Sequence, residues 1–122
     1  MKKLLFFLFT LLFSLNLHAK DLQFIEGFED IPLIYNMKQI LDNDISFNNE
    51  ETGYIETNII ATKKISFDNF KLFYIETLPQ LGWNLHTNTT NNLIFYRENN
   101  ILEFLKLKDT PLKVSISLKN RN

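Results

Sequence analysis

The sequence predicts an α+β domain in which one main helix packs on one face of an antiparallel sheet, in the order β-β-α-β-β-β-β. Three observations predict it. Phe67, Phe70, Tyr74, Leu78 and Leu81 recur at helical spacing and draw a single apolar stripe. The runs on either side of that stripe alternate apolar and polar residues with the period of a strand. The segments joining them are short and polar, which favours antiparallel neighbours and places a lone helix on one face of the sheet.

Residues 1 to 19 have the three parts of a secretory signal peptide. Lys2 and Lys3 form the positive start, an apolar stretch runs through Leu15, and Leu17-His18-Ala19 supplies a small residue before Lys20-Asp21. The apolar core is shorter than the roughly 20 residues that span a bilayer. Cleavage near Ala19 is therefore the expectation, with a periplasmic or secreted product, and contact with a membrane only if the peptide is retained.

Processing would leave 103 residues, enough for one domain with a single core. Residues 20 to 44 read as an apolar and acidic lead-in segment, and residues 45 to 122 as the α+β domain. In the lead-in, Phe24, Phe28, Ile31, Leu33 and Tyr35 stand among acidic residues without a clean period. Pro32 argues against one continuous helix. An extended stretch through Leu33 followed by a short helix over 36–41 is the reading. So apolar a segment must cover its own domain or meet another surface, and these five residues are the candidate partner-binding positions.

Strands are expected over 45–48 and 53–61, joined by Asn49-Glu50-Glu51-Thr52 as a hairpin turn. The helix follows. Ser66 is a suitable N-cap and Asp68 brings negative charge to the first turn. Pro79 should tighten or end the last turn, and Gly82 can take a left-handed conformation that folds Trp83 back toward Leu78. Trp83 is thereby expected to clamp the core. Four strands over 83–87, 93–97, 101–108 and 112–119 complete the order. In the last of these Leu112, Val114, Ile116 and Leu118 alternate with Lys113, Ser115, Ser117 and Lys119, and irregular alternation in 101–108 suggests a bulge.

Composition narrows the function. No cysteine occurs, which excludes disulfides, thiolate ligands, a thiol nucleophile and a lipidated cysteine. After processing, 14 acidic residues face 11 basic ones, a balance that gives no electrostatic footprint for nucleic acid. The charge is uneven: nine acidic residues and one basic lie in 21–58, against nine basic and five acidic from Ile59 onward. His86 is the single histidine of the processed chain, and a base without a nucleophile and an orienting partner is not a catalytic unit. The three glycines outside the first 19 residues form no phosphate loop. Asp42-Asn43-Asp44-Ile45-Ser46 lacks the glycine and spacing of a calcium loop. No cofactor or metal is expected.

Asp30-Ile31-Pro32-Leu33, the stretch Phe73-Tyr74-Ile75-Glu76-Thr77-Leu78-Pro79-Gln80-Leu81-Gly82-Trp83, and Phe95-Tyr96-Arg97-Glu98 together resemble an uncharacterised family of small exported alphaproteobacterial proteins. The helix followed by Gly-Trp and strands is also distantly similar to the helix-grip domains of outer-membrane assembly lipoproteins. Neither resemblance implies catalytic residues. The leading functional expectation is a non-catalytic periplasmic interaction module, an accessory to envelope assembly or maintenance, with an envelope protein as partner. A carrier of a small hydrophobic ligand between helix and sheet is the alternative, and a small hydrolase the third.

Overall fold

The computed structural model describes residues 23–48 and 53–120. The expected signal peptide, the start of the lead-in and the expected turn at 49–52 lie outside the described residues. Among the described residues the elements are, in chain order, β1 (Gln23–Phe24), β2 (Pro32–Leu33), β3 (Met37–Asn48), β4 (Gly53–Ala61), α1 (Phe67–Thr77), a 3-10 turn (Leu78–Leu81), β5 (Asn84–Asn88), β6 (Asn92–Arg97), β7 (Asn100–Asp109) and β8 (Leu112–Asn120). β1 and β2 pair with each other. The other six form one antiparallel sheet in the order β3-β4-β8-β7-β6-β5. The hairpin β3-β4 starts at one edge, the helix carries the chain across to the other, and the meander β5 to β8 returns until β8 pairs with β4.

The helix begins and ends as its residues dictate. Ser66 is extended and its hydroxyl accepts the Asn69 N–H at 3.1 Å, which satisfies one of the four donors that a helix start leaves open. Pro79 has no N–H to continue the α ladder, and the chain tightens into the 3-10 turn. Gly82 then takes a left-handed φ of 94°, where a side chain would be strained. The Trp83 N–H consequently bonds the Leu78 carbonyl at 3.1 Å. Its indole is buried, with the Arg97 guanidinium stacked 4.2 Å from the ring centroid.

Alternation sorts the sheet into two faces. Ile59, Leu93, Phe95, Leu102, Phe104, Val114 and Ile116 point to the helix and are fully buried. Under the helix, Phe104 meets Tyr74 at 4.5 Å and Phe70 at 5.8 Å between ring centroids, and Phe95 stacks edge-on against it. These rings occupy the space between α1 and the sheet. The irregularity expected in residues 101–108 is present as a register shift between Lys106 and Lys108.

The lead-in departs from expectation at residues 36–41. No helix forms there; β3 starts at Met37 and pairs Met37, Lys38, Gln39 and Ile40 with Ala61, Ile60, Ile59 and Asn58. A helix of six residues gains little from its own hydrogen bonds, whereas the edge of β4 offers a full ladder. The strand also runs through the expected boundary at residue 44, so lead-in and domain share one sheet.

Upstream of β3, the chain packs on the helix side. The Tyr74 hydroxyl donates to the Pro32 carbonyl at 2.7 Å and accepts the Ile34 N–H at 3.2 Å. Gln39 bonds both the N–H and the carbonyl of Glu26, and reaches Thr57 on the inner face. Arg97 binds Asp30 at 2.9 Å while also donating to the Leu81 carbonyl at 3.0 Å. Ile25, Phe28, Ile31, Leu33 and Ile34 thereby join the core. Tyr74→Phe removes both hydroxyl bonds and strands a buried N–H and carbonyl, which should cost about 1–3 kcal/mol. A urea unfolding midpoint equal to that of the parent would contradict this placement.

Candidate functional site

With helix and lead-in on one face, the opposite face of the sheet has no covering element among the described residues. Its composition follows from the registers. β4 presents Tyr54, Glu56, Asn58 and Ile60; β8 presents Lys113, Ser115, Ser117 and Lys119; β7 presents Ile101, Glu103 and Leu105; β6 presents Asn92, Ile94 and Tyr96. The aliphatic members are partly exposed, Leu105 most of all at 39%. A polar centre is thus framed by Ile60, Leu105, Ile94 and Ile101, with Tyr96 and His86 stacked 4.2 Å apart at the β5 side.

The centre is held by hydrogen bonds between strands. Glu56 and Glu103 flank Ser117 in the register β4-β8-β7. The Tyr54 hydroxyl donates to Glu56 at 2.5 Å, and Ser115 donates to the other oxygen of the same carboxylate at 3.2 Å. Asn92 donates its amide to Glu103 at 3.1 Å. Asn58 Oδ1 is buried on this face with no hydrogen-bond partner among the described residues. The bond to Glu56, then burial and the Glu56 charge, push the Tyr54 phenol up to about 12, with Ser117 opposing.

These groups can donate and accept hydrogen bonds to a polar partner. His86, the one imidazole among the described residues, stacks on Tyr96 and hydrogen-bonds Thr87. No three histidine, aspartate or glutamate side chains converge as a metal site among the described residues.

The five candidate positions in the lead-in are divided by the fold. Phe28, Ile31 and Leu33 are buried in the core, while Phe24 is 49% and Tyr35 85% exposed. Ser66, Phe70, Tyr74, Leu78, Pro79, Gly82 and Trp83 occupy the capping and packing positions that their spacing assigns. Sequence reading missed Tyr54, Glu56, Glu103, Ser115 and Ser117 as a group. The alternation of β4 and β8 placed Tyr54, Glu56, Ser115 and Ser117 outward, but only the pairing of β8 with both β4 and β7 brings them together with Glu103.

No family model, curated protein or solved structure matches the chain. Among the described residues no helix is long and apolar enough to cross a membrane.

The Tyr54 phenol gives the site a titration signature. Its raised value means that the folded chain holds the proton after the unfolded chain has released it. The stability it contributes is present below pH 10 and is lost as pH rises from about 10 towards 12. Ultraviolet titration of the protein against its Tyr54→Phe variant should show one phenol ionising near 12, and Glu56→Gln should bring that transition down. A Tyr54 transition near 10 in the parent would contradict the Glu56 bond.

Proposed function

We propose that this chain is an exported, non-catalytic interaction module of the periplasm, an accessory to envelope assembly or maintenance, which holds a protein partner on the uncovered face of its sheet. The observation that carries the reading is the pairing of a filled core with an open face on which Ile60, Ile94, Ile101 and Leu105 surround fixed acceptors and donors. Apolar side chains beside satisfied polar groups are what a binding surface needs: area to bury and hydrogen bonds to set orientation. Export is supported by the pattern of residues 1 to 19.

The face suits a partner better than either edge of the sheet. β5 has five residues and shifts register between Leu85 and Thr87, and β3 shifts between Ile40 and Ile45. Such breaks make poor templates for an added strand. A ligand carried between helix and sheet would need room that Phe70, Tyr74, Phe95 and Phe104 fill.

Site-specific photocrosslinking in the expressing cells tests the proposal. A photoreactive residue at position 94, 101 or 105 should give discrete protein adducts, while one at Leu72, exposed on the helix, should give none. Adducts at Leu72 alone, or no adducts at the three sheet positions, would overturn it.

A further inference from the structure

A second feature lies at the end of the molecule away from the polar centre. The loop after β4 and the turn between β7 and β8 enclose an open groove of about 680 Å³, within the range of roughly 300–1,000 Å³ typical of small-molecule sites. Its floor is apolar, built from Ala61, Ile65, Phe67, Pro111 and Leu112. Phe67 and Leu112 are anchored in the core beneath, so the floor is part of the rigid body of the fold. Lys63 and Lys64 stand on the groove wall.

Positive charge is in excess at this end. Neither Lys63 nor Lys64 has an ion-pair partner among the described residues, and Lys108 and Lys113, in register across the adjoining hairpin, have none either. Of the two carboxylates at this end, Asp109 lines the groove itself and pairs with Lys106 at 2.8 Å, while the exposed Asp68 lies 3.9 Å from Lys71. Lys71 is itself committed, donating to Asn88 and the Thr89 carbonyl at 2.7 Å each. An apolar trough with unpaired ammonium groups at its mouth is complementary to a molecule that carries a hydrocarbon chain and an anionic head.

The geometry points to a binding site for a single-chain anionic amphiphile of the fatty-acid class, taken up as a free molecule. The chain lies on Ala61, Ile65, Phe67, Pro111 and Leu112, and the head meets Lys63 and Lys64. This site shares no residue with the outer sheet face and is independent of the partner proposed there.

Laurate below its micelle concentration, titrated into ¹⁵N-labelled protein purified from the expressing cells, is the test. Amide shifts should map to residues 61–67 and 109–112, and dodecyl maltoside, an uncharged molecule with the same chain, should bind much more weakly. The double variant Lys63→Glu, Lys64→Glu alters exposed loop residues and should keep the parent's circular dichroism while weakening laurate binding about tenfold. Shifts confined to the outer sheet face would overturn the assignment. Laurate affinity equal in parent and double variant, or equal affinity for dodecyl maltoside, would do so too. Binding to phosphatidylglycerol vesicles without any binding of monomeric laurate would show a membrane-surface contact and overturn it as well.

Discussion

The phenol of Tyr74 sits where the helix, the lead-in chain and the sheet meet, with no solvent exposure. One helix of eleven residues cannot cover the inner face of a six-stranded sheet, so the remaining area has to be covered by chain that is not helical. Such chain brings backbone groups that need partners once buried. The Tyr74 hydroxyl meets that need at the critical place by serving Pro32 and Ile34 together. Burial drives its own ionisation upward, which favours the neutral hydroxyl that donates to Pro32. Ile25, Phe28 and Ile31 can then lie against the core, each contributing about 1.5–3 kcal/mol by leaving water.

The asymmetry of the molecule follows from this arrangement. Helix and lead-in are both spent on the inner face, and on the outer face Tyr54, Glu56, Ser115, Asn92 and Glu103 hydrogen-bond one another in two groups. Glu56 has its two oxygens bonded by Tyr54 and Ser115, so its position does not depend on a partner. A surface organised before binding loses less freedom when a partner arrives. Lys71 and Arg97 contribute in a similar way at the two ends of the helix. Lys71 ties the helix to the β5-β6 turn, and Arg97 joins the helix end to Asp30 while covering the Trp83 ring.

Much of the fold was legible in the sequence because local rules and tertiary packing agree there. Ser66, Pro79, Gly82 and the stripe from Phe67 to Leu81 each act through their own backbone conformation or helical spacing, and the α+β class and the strands of the meander followed. Residues 36–41 were read as helix because five or six residues hold too little periodicity to separate the two states. Their state is decided by β4, which offers Asn58 to Ala61 as a partner ladder. The outer polar centre was hidden for a related reason. Glu56 and Ser117 are 61 positions apart, and nothing local to either announces that β8 returns to lie beside β4. Lys71, too, breaks the pattern of an apolar stripe, and only the position of Asn88 and Thr89 explains its burial.

The central claim is that one face of the sheet is sealed by helix and lead-in while the other is open to solvent. Methyl NMR spectra recorded with a soluble, uncharged paramagnetic agent measure that division directly. The account predicts strong attenuation of the Leu105 methyls, intermediate attenuation of Ile60, Ile94 and Ile101, and none for Ile25, Ile31, Ile59 and Ile116. Attenuation of Ile25 and Ile31 as strong as that of Leu105 would show that the lead-in does not lie on the core, and would contradict the account.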